Sequence, residues 1–265
     1  MTGAMYDQIS SKGATLEARN IDLSFGGVAA LVRCSLRLEP GRVTAVIGPN
    51  GAGKTTLMDV IGGRLRPDSG EVRLDGADIS RMPPHRRARL GLLRTFQIAR
   101  ELEGLTLFEN LLLAGQGRAI EHPLAALAGG RRHRRAEAAV AARAHGLLER
   151  VGLVGQADLP AGALSGGQKK LLEVARALMV SPRILVLDEP TAGVSPPLAR
   201  VLADLTRDLA REGLTVAFVE HDMDFVQNVA DHVVVLAEGQ VLASGSFAEV
   251  TGTRDVIDAY LGRAA

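Results

Sequence analysis

The chain has 265 residues, 46% of them hydrophobic, which suffices to bury the core of one large α/β domain or two modest ones and excludes a fully disordered or fibrous chain. Its 31 Lys and Arg against 30 Asp and Glu leave a formal charge of +1, so partners must be read from local sites; aromatics at 3% with no Trp also argue against a stacking platform for single-stranded nucleic acid. One cysteine, Cys34, precludes an internal disulfide framework or a cysteine metal cluster and fits a reducing compartment, while no apolar run approaches the ~20 residues that span a bilayer and Met1 to Thr15 lacks a signal-like core.

Val32, Cys34, Leu36 and Leu38 alternate with Arg33, Ser35, Arg37 and Glu39, the period of a half-buried strand, which makes Cys34 a small core residue. After the Pro40-Gly41 turn, Arg42 to Ile47 reads as a short buried strand ending at Gly48, and Thr55 to Ile61 as a helix stopped by Gly62-Gly63. From about Phe108 to Val180, Ala, Leu and Arg dominate, and Leu171, Val174, Ala175, Leu178 and Met179 recur at helical spacing, predicting a helical insertion. Within it, Arg131-Arg132-His133-Arg134-Arg135 reads as a solvated loop or helix start, with lipid headgroup contact as the alternative. Strands return at Ile184 to Leu187, Thr215 to Val219 and Val233 to Ala237, the first two separated by a helix near Leu198 to Arg211. This alternation predicts a mainly parallel sheet covered by helices. Glu238-Gly239 reads as a hairpin turn and Thr253 to Leu261 as a short terminal helix.

The chemistry concentrates at a few points. Gly48-Pro49-Asn50-Gly51-Ala52-Gly53-Lys54-Thr55 fills the phosphate-loop pattern GxxxxGK[ST], with a strand before it and a helix after it. In such a loop, backbone N–H groups wrap the β-phosphate, Lys54 pairs with β and γ oxygens, and Thr55 offers its hydroxyl to Mg²⁺. The strand ending Leu187-Asp188-Glu189 places Asp188 where a sheet can present a carboxylate to that metal, and Glu189 where it can orient and deprotonate a water. Leu164-Ser165-Gly166-Gly167-Gln168 has the features of a second anion-binding helix start, although local helix capping by Ser165 explains the same residues.

The order of these motifs, completed by Arg94-Thr95-Phe96-Gln97 and by Glu220-His221-Asp222, resembles the ATP-binding subunits of ABC transporters. The resemblance implies an α/β fold: a P-loop NTPase core with a mainly parallel sheet, an antiparallel β subdomain and an inserted α-helical subdomain. It implies a single ABC ATPase domain over 14–265, with the nucleotide-binding core at 14–97 and 181–252, helices at about 98–180 and a helical tail at 253–265. ATP and Mg²⁺ are the implied cofactors. Glu189, His221 and Gln97 become the catalytic candidates, with Thr55, Gln97 and Asp188 around the metal. The nucleotide set runs from Gly48 to Thr56, including Thr56 beside Thr55, and adds Ser165, Gly166, Gly167 and Gln168 acting on the ATP of a second subunit in a head-to-tail dimer. Phe25, before Gly26-Gly27, falls where the family stacks an aromatic on adenine; burial in the core is the alternative for this residue. One departure stands out: Ala192-Gly193-Val194-Ser195-Pro196 lacks the aspartate many of these ATPases carry after the catalytic glutamate.

Within the family, Phe25 to Ala30, Arg94 to Gln97, the segment from about Gly115 to Arg135, Glu220 to Met223 and the closing Asp255 to Gly262 are most similar to ATPase subunits of branched-chain amino-acid importers. The implied protein is peripheral on the cytoplasmic face of the inner membrane. Its implied partners are integral permeases, a second ABC ATPase in a homo- or heterodimer and, indirectly, an extracytoplasmic binding protein, with no nucleic acid. Related ATPases serving urea, short amides or lipopolysaccharide export, and a soluble non-transport ABC ATPase, are the alternatives.

Overall fold

The computed structural model describes residues 12–95, 102–116 and 131–261, which divide into two compact units. One contains the described residues of Ser11–Arg94, Pro182–Thr191 and Thr206–Ala265; the other those of Thr95–Ser181 and Ala192–Leu205. Ala192–Leu205 falls in the unit that holds the helices, and its Val194 and Leu198 lie beside Gly167.

The first unit is built on two sheets. Strands β1 (Leu16–Phe25), β2 (Val28–Leu38), β4 (Ser69–Leu74) and β5 (Ala77–Asp78) form an antiparallel sheet in the order β2-β1-β4-β5. Strands β3 (Val43–Ile47), β6 (Leu92–Arg94), β7 (Ile184–Asp188), β8 (Thr215–Val219), β9 (His232–Ala237) and β10 (Gln240–Gly245) form the second, in the order β10-β9-β3-β8-β7-β6. Every pairing in it is parallel except the β9–β10 hairpin, which turns at Glu238-Gly239 as expected. The central strands β3, β7 and β8 are buried on both faces, matching their unbroken apolar runs. Helix α1 (Lys54–Gly62) lies in the core shared by the two sheets: its Leu57, Met58, Val60 and Ile61 join Leu16, Ile21 and Leu36 of the antiparallel sheet and Val186, Ala217 and Val219 of the parallel one. Cys34 is in the same core, and burial pushes its thiol up to about 11.

The end of α1 is secured by a buried arginine. Arg87, in helix α2 (Pro84–Arg89), is only 1% exposed. Its guanidinium donates to the carbonyls of Val60 and Ile61, the last turn of α1, and to those of Met82 and Ser80. The Val60 carbonyl also accepts from the Gly63 N–H at 3.1 Å, so there the buried cation is a second donor, while it supplies a donor to the Ile61, Met82 and Ser80 carbonyls and meets the negative end of the helix dipole. Burial pushes the guanidinium down to about 10, with Asp78 pulling the other way.

The second unit contains helices α3 (Leu107–Gln116), α4 (Arg131–Arg150) and α5 (Gly166–Met179). Leu107 and Leu111, Ala144, Leu147 and Leu148, and Leu171, Leu172, Ala175 and Leu178 are the buried faces of these helices. The arginine run is the start of α4, where Arg134 and Arg135 are exposed. Helix α6 (Pro196–Arg211) runs from this unit into the first, and α7 (Met223–Val229), α8 (Phe247–Thr251) and α9 (Arg254–Leu261) complete the chain. Among the described residues no helix is long and apolar enough to cross a membrane.

Replacing Arg87 by Met removes the guanidinium donor from the Ile61, Met82 and Ser80 carbonyls, at about 1–3 kcal/mol for each left unsatisfied, less what relaxation recovers. The expected loss is about 2–4 kcal/mol in urea denaturation with an unchanged slope. A loss below about 0.5 kcal/mol would place Arg87 among ordinary surface residues.

Candidate functional site

Three adjacent parallel strands deliver the candidate residues to one edge. In register, Val46 lies opposite Val219 and Asp188 opposite Val219, so β3, β8 and β7 end together; the phosphate loop, Asp188-Glu189 and Glu220-His221 follow them directly. Carboxyl edges of parallel sheets are where such folds collect ligands.

The phosphate loop requires glycine at specific points. A Cβ on Gly48, at φ 147, would collide with the carbonyl oxygen of Leu236, and one on Gly53, at φ 97, would sit 2.7 Å from the carbonyl oxygen of Ala30. The loop is braced by Ala52 N–H on Pro49 O at 3.2 Å and Gly239 N–H on Ala52 O at 3.1 Å. Gly53, in the left-handed region, opens α1 without a side-chain cap, which leaves the helix start to a ligand or solvent. Lys54 is 6% exposed, and its Nζ donates to the carbonyls of Gly48 at 2.7 Å and Pro49 at 2.9 Å. Burial pushes its ammonium below the usual lysine value, while the Glu189 carboxylate pulls it back up.

Lys54, Thr55, Thr56 and Asn50 to Gly53 line an open cleft of about 220 Å³ together with Ala30, Glu189 and His221. Glu189 has φ 44, a left-handed conformation that costs a non-glycine residue on the order of 1–3 kcal/mol and that concentrates at functional sites. Its backbone N–H is tied to Val219 O at 3.0 Å, and its Oε1 lies 3.5 Å from His221 Nε2. Asp188, 8% exposed, pairs through Oδ2 with Arg94 Nη2 at 2.6 Å; Arg94 Nη1 reaches Asp59 Oδ1 of α1 at 2.7 Å. Arg94 thus joins the helix behind the phosphate loop to the carboxylate at the end of β7, a bridge that sequence reading missed because its ends are far apart along the chain.

Among the described residues no cluster of His, Cys, Asp and Glu could hold a metal on protein ligands alone. A magnesium ion keeps waters and binds through one or two protein oxygens plus phosphate oxygens, so the Thr55 hydroxyl and Asp188 carboxylate are a fitting donor set beside a triphosphate. Phe25, at the end of β1, is 50% exposed, which removes the core alternative and leaves its ring available for stacking. Tyr260 of the terminal helix, 40% exposed, has its phenol pushed up by burial, with the Gly48 backbone pulling the other way.

In the second unit, Ser165 is the N-cap of α5, accepting from the Gln168 N–H while Gln168 Oε1 accepts from the Ser165 N–H at 3.0 Å. Gly166 is open around its missing Cβ, whereas a Cβ on Gly167 would press on Leu198 at 3.0 Å. Gln97 lies outside the described residues.

These features agree with known proteins. A family model described as ABC transporter matches residues 31–192. The chain belongs to the ABC transporter family. The probable branched-chain amino acid transport ATP-binding protein LivG of Archaeoglobus fulgidus is 40% identical over 249 residues, 93% of this chain and 95% of that protein. The high-affinity branched-chain amino acid transport ATP-binding protein BraF of Pseudomonas aeruginosa is 41% identical, covering 94% of this chain and 98% of its own length. LivG of Escherichia coli K12 is 36% identical with the same coverage, 94% and 98%. A nucleotide-free ATP-binding cassette of an ABC transporter aligns with TM-score 0.80 and 37% identity over 94% of this chain and all (100%) of that one. The ADP conformation of the cassette MJ1267 gives TM-score 0.80 and 38% identity over 94% and 99%. The fold is that of an ABC ATPase cassette, and the cassette is an ATP hydrolase.

Lys54→Ala removes charge-assisted contacts of about 1.5–3 kcal/mol to phosphate. ATP affinity, measured calorimetrically, should weaken by about tenfold to a hundredfold; unchanged affinity would contradict the placement of the triphosphate at Lys54.

Proposed function

We propose that this chain is the ATP-hydrolysing subunit of an importer for branched-chain amino acids, peripheral on the cytoplasmic side of the membrane. The observation that carries the cargo is the set of relatives named for branched-chain amino acid transport, which match 93–94% of this chain at 36–41% identity.

The cleft geometry supports a division of labour. Lys54 and the N–H groups of the phosphate loop bind the β- and γ-phosphates, and Phe25 stacks on the base. Glu189, beside the γ-phosphate end of the cleft, accepts a proton from water as its oxygen bonds to phosphorus and the bond to ADP breaks. His221, 3.5 Å from Glu189, contacts the γ-phosphate. Thr55, Asp188 and Gln97 would hold Mg²⁺, which supplies neutralisation of the phosphate charge. Ser165, Gly166, Gly167 and Gln168 close over the ATP of a second ATPase. Permeases dock on the helical unit and transmit that closure, and an extracytoplasmic binding protein delivers the cargo.

The test is reconstitution of the protein with its permeases, a second ATPase and a binding protein. The isolated subunit should hydrolyse ATP slowly, and a binding protein loaded with leucine, isoleucine or valine should stimulate it more than an unloaded one. Glu189→Gln should lose about 10²–10⁴ in turnover in both settings. Stimulation by urea or a short amide but not by these amino acids would retain the motor and overturn the cargo.

A further inference from the structure

Glu220 is a carboxylate, 3% exposed, that the hydrolysis scheme above does not use. It stands directly between β8 and His221. Its Oε1 accepts from the Thr191 N–H at 2.7 Å and from the Thr191 hydroxyl at 2.6 Å. Its Oε2 accepts from the N–H groups of His221 at 2.9 Å and Asp222 at 3.3 Å. Hydrogen bonds to a carboxylate are among the strong ones, and these four go to two segments only. Thr191 is the second residue after Glu189. One buried side chain therefore ties the turn that follows Glu189 to the turn that carries His221.

Both turns need such a tie. β7 ends at Asp188 and β8 at Val219; the Glu189 N–H still reaches Val219 O at 3.0 Å, but the side chains of Glu189 and His221 stand on the turns beyond the strand ends. Glu189 sits in the left-handed region at φ 44, a conformation that persists only where its surroundings over-determine it. On the other side, Asp222 caps α7 by accepting from the Phe225 N–H at 3.1 Å, which anchors the far end of the His221 turn. The near end is held by Glu220.

We propose that Glu220 is a positioning residue for ATP hydrolysis, setting the spacing of Glu189 and His221 across the reacting end of the cleft. It acts through its backbone partners and touches no phosphate. The proposal rests on the assignment of Glu189 and His221 to hydrolysis given above. A misplacement of reacting groups of about 1 Å costs on the order of a hundredfold in rate, whereas the phosphate loop that supplies ATP affinity is bonded elsewhere. Loss of Glu220 must therefore separate turnover from binding.

The experiment uses the full-length protein. Glu220→Gln keeps the side-chain shape but sets an NH₂ donor against either the Thr191 donors or the His221 and Asp222 N–H groups. ATP affinity should stay within about twofold, while kcat falls about tenfold to a hundredfold at temperatures well below a separately measured melting point. Thr191→Val, which removes one donor and leaves the backbone N–H, should show the same split with a smaller loss, and carries the test should Glu220→Gln fail to fold. Unchanged kcat in a folded variant overturns the proposal, as does a parallel loss of kcat and ATP affinity, which marks a general loosening of the site. Glu189→Gln is assayed alongside: if it still turns over, the catalytic assignment fails and takes this proposal with it, whereas an inactive Glu189→Gln beside a fully active Glu220→Gln overturns the positioning role alone.

Discussion

The structure depends on three parallel strands, β3, β8 and β7, ending at one edge in register. Each carries an apolar run that is buried on both faces, so each can expose polar groups only where it stops. The glycine loop and Lys54, the Asp188-Glu189 pair and the Glu220-His221 pair begin at those stops. Cation, carboxylates and imidazole meet because hydrophobic burial forbids them elsewhere along the strands.

Placing charge at such an edge has a cost that the surrounding residues offset. Lys54 is desolvated and donates to two carbonyls of its own loop, with the Glu189 carboxylate favouring its charged form. Asp188 is paired with Arg94, which in turn holds Asp59 on α1. Arg87 closes the other end of the same helix by satisfying its final carbonyls. Helix α1 is thus fixed at its start by glycine geometry, along its length by two hydrophobic sheets, and at its end by a buried cation. A phosphate-binding helix start that must not yield when a highly charged ligand arrives needs restraint of this kind.

Much of this was legible in the sequence where the information is local. The phosphate loop declares itself because glycine, lysine and threonine occupy fixed offsets between a strand and a helix, and the predicted helix from Thr55 to Ile61 is the observed α1 to within a residue at each end. The Glu238-Gly239 hairpin and the strand ending at Asp188-Glu189 were equally readable, since turn residues and apolar runs act over a few positions. What stayed hidden depends on residues distant in sequence. Arg87 lies in the run Pro84-His85-Arg86-Arg87-Ala88-Arg89, where nothing local singles out one arginine, yet it is buried against α1 while Arg86 and Arg89 are exposed. The short strand β6 gives no periodic signal, and the bridge from Arg94 to Asp59 and Asp188 exists only once β6 is laid beside β7.

The central claim is that the groups gathered at this edge form one ATP-hydrolysing site. It is tested most directly by the crystal structure of the Glu189→Gln variant grown with ATP and Mg²⁺. The account places the γ-phosphate within hydrogen-bond reach of both Lys54 Nζ and His221 Nε2, with the metal beside the Thr55 hydroxyl and Asp188. A triphosphate bound outside the glycine loop, or a metal held away from both Thr55 and Asp188, would contradict it.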